Sequence, residues 1–325
     1  MDPLTDIHQL AAQPGELILA IGTFDGLHIG HQRVIQHAVH QAASRPRTRA
    51  GILTFNAHPL QLLAPERAPA PLDTPAQRRH AFADQGVHFC LSLDFSPEFA
   101  SQAPAAFVER LLTAAPGLRS IVVGSDWRFG KDRQGTVELL ARLGAQRGFT
   151  VSAIGAVALG STPVRSTRIR QAVARGELAL AHRLLGRPYA VAGTVVRGQG
   201  LGRKLGYPTA NVAWANRIIP PTGVYLAEAR LDQWPSWQWS GALVNLGFRP
   251  TVSGAHPGQP TLEAHLLEAD EDCYDRCIEI RFLALLRHEQ KFPDLAALRR
   301  QIDHDRAAAL PLLARHRREG LARAG

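Results

Sequence analysis

The sequence predicts two domains of different class. The first, residues 1–186, is a doubly wound α/β domain; the second, residues 187–325, is a small antiparallel β-barrel with a C-terminal helix. Three observations lead there. At 325 residues the chain exceeds the usual size of a single hydrophobic core. Up to Leu184-Leu185-Gly186-Arg187-Pro188, short apolar runs alternate with helical periodicity. Beyond that stretch the pattern becomes period-two runs separated by turns.

The first domain is organised around residues 17–34, LILAIGTFDGLHIGHQRV. Leu17 to Ile21 reads as a buried parallel strand, Gly22 to Gly26 as a turn, and the chain from Leu27 onward as a helix. A strand, a glycine-rich turn and a helix start gather backbone N–H groups and the positive end of a helix dipole, which suits phosphate. His28 and His31 sit at that spot, three apart and therefore on one helix face. Gly30 between them removes a side chain where a triphosphate has to approach the backbone. Such a pair can hold phosphates in line and stabilise transition-state charge in phosphoryl or nucleotidyl transfer.

Two other readings of the pair stand beside this one: a metal site and ordinary surface histidines. His37 and His40 follow on the same predicted helix. At 100° per residue, however, they point roughly 240° and 180° away from His31, so the four imidazoles do not share one ion. The surrounding strand, turn and helix favour phosphate over the surface reading.

With these residues in place, GTFDGLHIGH resembles the nucleotidyltransferase signature of the bacterial bifunctional riboflavin kinase/FAD synthetases. The resemblance implies a Rossmann-like nucleotidyltransferase domain. It assigns Gly22, Thr23, Phe24, Asp25, Gly26 and Gly30 to nucleotide binding, and His28 and His31 to catalysis.

Composition, with 45% hydrophobic and 20% charged residues, is that of an ordinary soluble globular protein. MDPLTDIHQL at the start lacks an apolar core, and no later run approaches a membrane span, so a cytoplasmic protein is expected. Cys90, Cys273 and Cys277 contain no C-x-x-C, which suits a reducing compartment. The net charge of +9 raises the question of nucleic acid, but only three of the 37 basic residues are lysines and the arginines are spread along the chain. The dense cluster from Arg315 to Arg323 reads as a solvated helix end, and no nucleic-acid motif accompanies it.

Further strands are expected at Arg49 to Phe55, His88 to Leu93, Ser120 to Val123 and Phe149 to Ile154, with a helix near Pro104 to Leu112 and a loop excursion at Ala64 to Pro75. In a doubly wound sheet the carboxyl ends of strands line the ligand crevice, which places Asn56-Ala57-His58-Pro59 and the Gly124 to Lys131 segment there. Asp126 can accept bonds from ligand hydroxyls or help hold a metal–nucleotide, and Trp127 and Phe129 can pack on a flat ring; a turn with a buried aromatic is the other reading. The resemblance assigns Asn56, His58, Pro59, Asp126, Trp127 and Phe129 to the flavin, although the family usually has proline at the Ala57 position.

Residues 163–170, PVRSTRIR, open a helix for which Ser166 or Thr167 is a natural N-cap. The family motif R-x-S-S-T-x-I-R implies that Ser166, Thr167 and Arg170 contact nucleotide phosphates. Its first arginine is Pro163 here and its first serine is Arg165. Alternation along an extended segment puts Arg165 on the side of residue 163, from which its guanidinium can substitute.

In the second domain, strands are expected at Ala190 to Val196, Gly223 to Leu231, Trp237 to Leu246, Thr261 to Glu268 and Cys277 to Leu286. Five or six such runs suggest a barrel, and Leu295 to Arg318 a helix that Pro311 kinks or interrupts. Residues 198–211, GQGLGRKLGYPTAN, match neither a Walker A loop nor G-x-G-x-x-G. Glycine density alone allows a mobile loop. The run GRKLGYPTAN resembles the riboflavin kinase motif, which implies that Gly198, Gly200, Gly202, Lys204, Gly206 and Pro208 border ATP while Thr209 and Asn211 help hold Mg²⁺. Gly223-Val-Tyr225 and the 245–251 run NLGFRPT match as well. Glu263 in E-x-H-L lies on a strand facing the nucleotide or facing outward; the resemblance makes it the base that takes the riboflavin 5′-hydroxyl proton. The usual Asp-Phe pair after it is Glu268-Ala269.

The expected activity is therefore double: riboflavin to FMN with Mg-ATP in the barrel, and FMN to FAD with pyrophosphate release in the first domain. Substrates are riboflavin, FMN and ATP, with Mg²⁺ accompanying ATP and no tightly bound redox cofactor. The alternative is a monofunctional riboflavin kinase whose first domain is degenerate and regulatory, a reading motivated by Pro163 and Arg165.

Overall fold

A computed structural model describes residues 1–198, 200–235, 238–248, 260–269 and 273–324. Trp237 and the Arg249 to Thr251 end of the predicted NLGFRPT motif lie outside the described residues. The chain forms two compact units: Met1–Arg168 with Leu184–Gly186, and Ile169–Arg183 with Arg187–Gly325.

The first unit is built on β1 (Asp2–Leu4), β2 (Glu16–Ile21), β3 (Thr48–Phe55), β4 (Phe89–Leu93), β5 (Leu118–Gly124) and β6 (Thr150–Ile154). They form one sheet in the order β1-β4-β3-β2-β5-β6, with every pairing parallel. Parallel strands need crossovers, and helices supply them. These are α1 (Ile29–Ala43), α2 (Leu60–Leu63), α3 (Pro75–Ala83), α4 (Pro97–Ala100), α5 (Pro104–Ala114) and α6 (Val137–Arg147).

Both faces of this sheet are covered, which explains the unbroken apolar run of β2. Leu17, Leu19 and Ile21 join a core with Phe107, Leu111 and Leu140 of α5 and α6; Ile18 and Ala20 join Val34, Ile35 and Ala38 of α1 on the other face. Strand order runs outward in opposite directions from β2 and β5, so the chain after each of them opens at the switch point where doubly wound sheets bind ligands. The hairpin β7 (Ala158–Leu159) and β8 (Thr162–Pro163) then leads to α7 (Ser166–Ala174) and α8 (Leu178–Leu185).

The second unit is a closed antiparallel barrel of β9 (Ala190–Val196), β10 (Ala210–Trp214), β11 (Gly223–Leu231), β12 (Ser240–Gly247), β13 (Thr261–Leu266) and β14 (Cys277–Arg287), in ring order β10-β13-β12-β11-β14-β9. Alternation fills its interior: Tyr225, Ala227, Val244, Leu246, Leu262 and Ala264 are buried with at most 1% exposure. The sixth strand is β10, which begins in the last two residues of the glycine motif. Those glycines form a short helix, α9 (Leu201–Leu205), bounded by Gly200 and Gly206 at φ of 69° and 88°. Both ends are left-handed, a conformation that costs glycine nothing.

The C-terminal helix α10 (Leu295–Ala324) continues through Pro311, so of the kink or interruption expected there the interruption does not occur. Ala309 and Leu313 bracket the proline and are buried against Leu226 and Leu243 of the barrel wall. That packing holds the helix on both sides of the hydrogen bond that proline removes. Nor is the arginine cluster wholly solvated. Arg317 Nη1 and Nη2 donate to the Glu268 carboxylate at 2.8 Å each, and Nη2 also donates to the Trp239 carbonyl at 3.1 Å. Glu268 thereby ties the end of β13 to α10, and Arg317 holds its carboxylate below the usual pKa range.

Candidate active sites

In the first unit the signature residues wrap the carboxyl end of β2. Phe24, Gly26 and Leu27 are left-handed at φ of 49°, 78° and 37°. For the two non-glycine residues this strain costs on the order of 1–3 kcal/mol each. Their side chains are 2% and 1% exposed, and burying a Phe or Leu contributes about 1.5–3 kcal/mol, so packing offsets the strain. The Phe24 ring is thus part of the core. Its edge-to-face contact with His31, at 5.4 Å between centroids, makes it a support for the histidine.

His28 is the N-cap of α1, and its Nδ1 accepts from the His31 backbone N–H at 3.2 Å. Acceptance at Nδ1 puts the ring proton on Nε2. The two imidazoles stack at 3.6 Å and 16°, and a Cβ on Gly30 would press on His28 at 3.1 Å. Burial lowers the His28 pKa to about 4. The His31 pKa is also lowered, by burial and by the charge His28 would carry, and its Nδ1 is buried without a hydrogen-bond partner in the protein. No acidic residue occupies the first turn of α1, which leaves its positive end uncompensated. The arrangement presents neutral N–H donors and a helix dipole to an anion.

Around this centre, Asp25 has a structural part: its Oδ1 accepts from Leu72 N–H at 3.0 Å, and its carbonyl accepts from Ser166 Oγ at 2.9 Å. Ser166 therefore docks the start of α7 on the signature loop through its hydroxyl. Thr23 offers its carbonyl to the buried Thr54 hydroxyl at 3.3 Å, and Gly22 N–H reaches Leu53 O at 3.2 Å. Arg165 and Thr167 are exposed at the same end of α7, and Arg170 lies one turn further along.

At the end of β3, Asn56 Nδ2 donates to Asp94 at 2.7 Å, and His58 Nδ1 accepts from Leu60 N–H at 3.1 Å, just before Pro59 opens α2. Beyond β5, Asp126 is exposed, Trp127 is half-buried and Phe129 is buried in the core. Trp127 stacks on Phe129 at 4.8 Å and 12°, so Phe129 backs the indole from the protein side.

In the barrel, register alone assembles the second site. Asn211 of β10 faces Glu263 of β13, which faces Asn245 of β12. Their strand neighbours Ala210, Val212, Leu262, Ala264, Val244 and Leu246 point inward, so these three lie in one row on the outer wall. The glycine segment packs against the Asn211 end of the row: a Cβ on Gly198 would collide with the Asn211 amide, and one on Gly202 would strike the Tyr207 carbonyl and meet Thr209 Oγ1 at 3.0 Å. Gly200 and Gly206 close the ends of α9, while the side chain of Lys204 is outside what the structure describes.

Sequence reading missed His265 as a working residue. Its Nδ1 donates to the Pro208 carbonyl at 2.9 Å, and Tyr207 meets its ring edge-on at 5.5 Å. A carbonyl only accepts, so the imidazole carries its proton on Nδ1. The signal was period two, since residues 263 and 265 share a face. Tyr207 in turn donates its hydroxyl to Asp303 of α10.

Two family models match successive parts of the chain. The family model for FAD synthetase matches residues 10–168, and that for riboflavin kinase matches residues 185–313. A bifunctional riboflavin kinase/FMN adenylyltransferase of Pseudomonas fluorescens is 39% identical over 97% of this chain and 98% of its own length. The chain belongs to the bifunctional riboflavin kinase/FMN adenylyltransferase family. Relatives of the same name from Escherichia coli K12 and Bacillus subtilis 168 are 36% and 31% identical over 95% and 93% of this chain, and 97% and 94% of their own. A solved macrolide-efflux protein of Streptococcus pneumoniae shares the architecture at a TM-score of 0.81 and 29% identity, over 94% of this chain and 97% of that one. Because the first domain is matched as an FAD synthetase in its own right, the monofunctional kinase alternative is not favoured.

Proposed function

We propose that the barrel phosphorylates riboflavin with Glu263 as general base, and that the first domain adenylylates the resulting FMN through His28 and His31. The observation that carries the kinase half is the row Asn211–Glu263–Asn245, with Gly198 packed against its Asn211 end. In the kinase step Glu263 takes the proton of the riboflavin 5′-hydroxyl, the oxygen attacks the γ-phosphorus of ATP, and ADP leaves. In the adenylyl step an FMN phosphate oxygen attacks the α-phosphorus and pyrophosphate leaves. Here the histidine N–H donors and the start of α1 stabilise the charge that develops. The backbone of Gly22 to Gly26 and of Gly30, with Arg165, Ser166, Thr167 and Arg170, contacts that nucleotide, while the Phe24 ring supports His31 from the core; Asn56, His58, Pro59, Asp126 and Trp127 hold the flavin. The functional boundary in this reading lies between Gly186 and Arg187.

Mg²⁺ fits the kinase row. Thr209 Oγ1 and the Asn211 carboxamide oxygen are hard donors two residues apart, each against a glycine of the motif, and a divalent ion held by them would neutralise phosphate charge during transfer. Among the described residues no cluster of three or more His, Cys, Asp or Glu could hold a metal, so these two oxygens would act with the phosphates of ATP. His265 serves this site by holding Pro208, next to Thr209, in place.

The expected test is a Mg²⁺ titration at fixed ATP. Asn211→Ala and Thr209→Ala raise the Mg²⁺ needed for half-maximal FMN formation by on the order of 10-fold, and leave that for FAD formation unchanged. An unaltered Mg²⁺ requirement in both variants contradicts the assignment. A cytoplasmic location suits the three free cysteines, and no described helix is long and apolar enough to cross a membrane. Small molecules rather than nucleic acid are the partners in this reading.

A further inference from the structure

Residues 72–78 are bound to the signature loop although nothing in their composition marks them. Leu72 is fully buried; its N–H bonds Asp25, and its side chain fills the space that a Cβ on Gly26 would need. Asp73 is 8% exposed, and Thr74 and Gln77 form a reciprocal capping box that starts α3. One turn into this helix, Arg78 sends Nη2 to the carbonyls of Phe55 and Asn56, at 2.7 and 3.3 Å. These two carbonyls are at the carboxyl end of β3. Burial lowers the guanidinium pKa, and the nearby Cys90, Asp25 and Asp73 oppose that shift.

We propose that Arg78 is a positioning residue for adenylyl transfer: it locks the end of β3, and with it Asn56 and His58, against the signature loop that carries His28. The proposal rests on the assignment of Asn56 and His58 to the flavin. An arginine suits the task because its planar fork reaches carbonyls on one side while carboxylates balance its charge on the other. Freed from this clamp, the β3 end would still emerge from the sheet, but Asn56 and His58 would no longer be held ready to bind the flavin.

The test uses the full-length enzyme and steady-state FAD formation, with FMN and ATP varied in turn. Arg78→Met is expected to raise KM for FMN by about 10–100-fold, the scale of a lost charge-assisted hydrogen bond, while kcat and KM for ATP stay near their unsubstituted values. Arg78→Lys keeps the charge and one donor and raises KM for FMN less. Should the methionine variant fail to fold, the lysine variant decides on the same readout. An unchanged KM for FMN overturns the proposal, as does a fall in kcat with both KM values moving together, the mark of a merely structural residue. Asn56→Ala and His58→Ala separate the two layers. If they raise KM for FMN and the Arg78 variants do not, the positioning role fails and the flavin assignment stands. If only the Arg78 variants raise it, those two flavin contacts fall, and the positioning role argued through them is overturned with them.

Discussion

Replacing Glu263 with glutamine is expected to lower FMN formation from riboflavin by on the order of 10²–10⁴-fold, the range lost with a general base. Glutamine keeps the size of the side chain and its place between Asn211 and Asn245, so nucleotide binding should survive. What it removes is the acceptor for the hydroxyl proton. FAD formation from supplied FMN provides the internal control, because its proposed catalytic residues lie in the other compact unit. Separation of riboflavin, FMN and FAD by chromatography reads both activities in one assay. FMN production near the unsubstituted rate contradicts the role given to Glu263.

The reciprocal result is expected for His28→Ala: FAD formation falls by on the order of 10²–10³-fold or more, as when a donor to developing charge is removed, and FMN formation is unaffected. Alanine also deletes the N-cap of α1, which by itself costs about 0.5–2 kcal/mol. Asparagine tests that contribution, since it can cap the helix without supplying an imidazole. His28→Asn should therefore recover stability and not FAD synthesis. The wild-type pH profile carries the same geometry. With a pKa lowered to about 4, His28 is neutral above that value, and protonation of Nδ1 would break its bond from the His31 N–H. FAD formation should show no ionisation of this residue between about pH 5 and 8. A limb near 6.5, the ordinary histidine value, that disappears in His28→Asn would contradict a neutral, buried pair.

The doubly wound class was legible because β2, β3 and β5 bury residues on both faces and each carries a short apolar run. The barrel was legible from alternation, which also placed Glu263 on a strand face. Its pairing with Asn211 and Asn245 was not legible, because register depends on residues distant in sequence. The edge strand β1 is three residues long and offers no period. α9 escaped because glycine, a poor helix former, fills the positions at and beside both of its ends. Pro311 misled for a related reason: the local rule against proline yields to the contacts of Ala309 and Leu313. Within the motifs, aromatic residues were the hardest to divide between ligand and core. Phe24 and Phe129 are buried supports, while Trp127 is half-buried over the latter. Arg78 left no trace in the sequence because its partners are backbone carbonyls.

The presence of two working sites in one chain is tested most directly by incubating the purified protein with riboflavin, ATP and Mg²⁺ and following the flavins over time. FMN should appear first and FAD after it, at the expense of FMN, with Arg165 and its neighbours serving in place of the arginine that Pro163 replaces. FMN accumulating without FAD would contradict a catalytic first domain, and the absence of both products would contradict the assignment of the barrel as well.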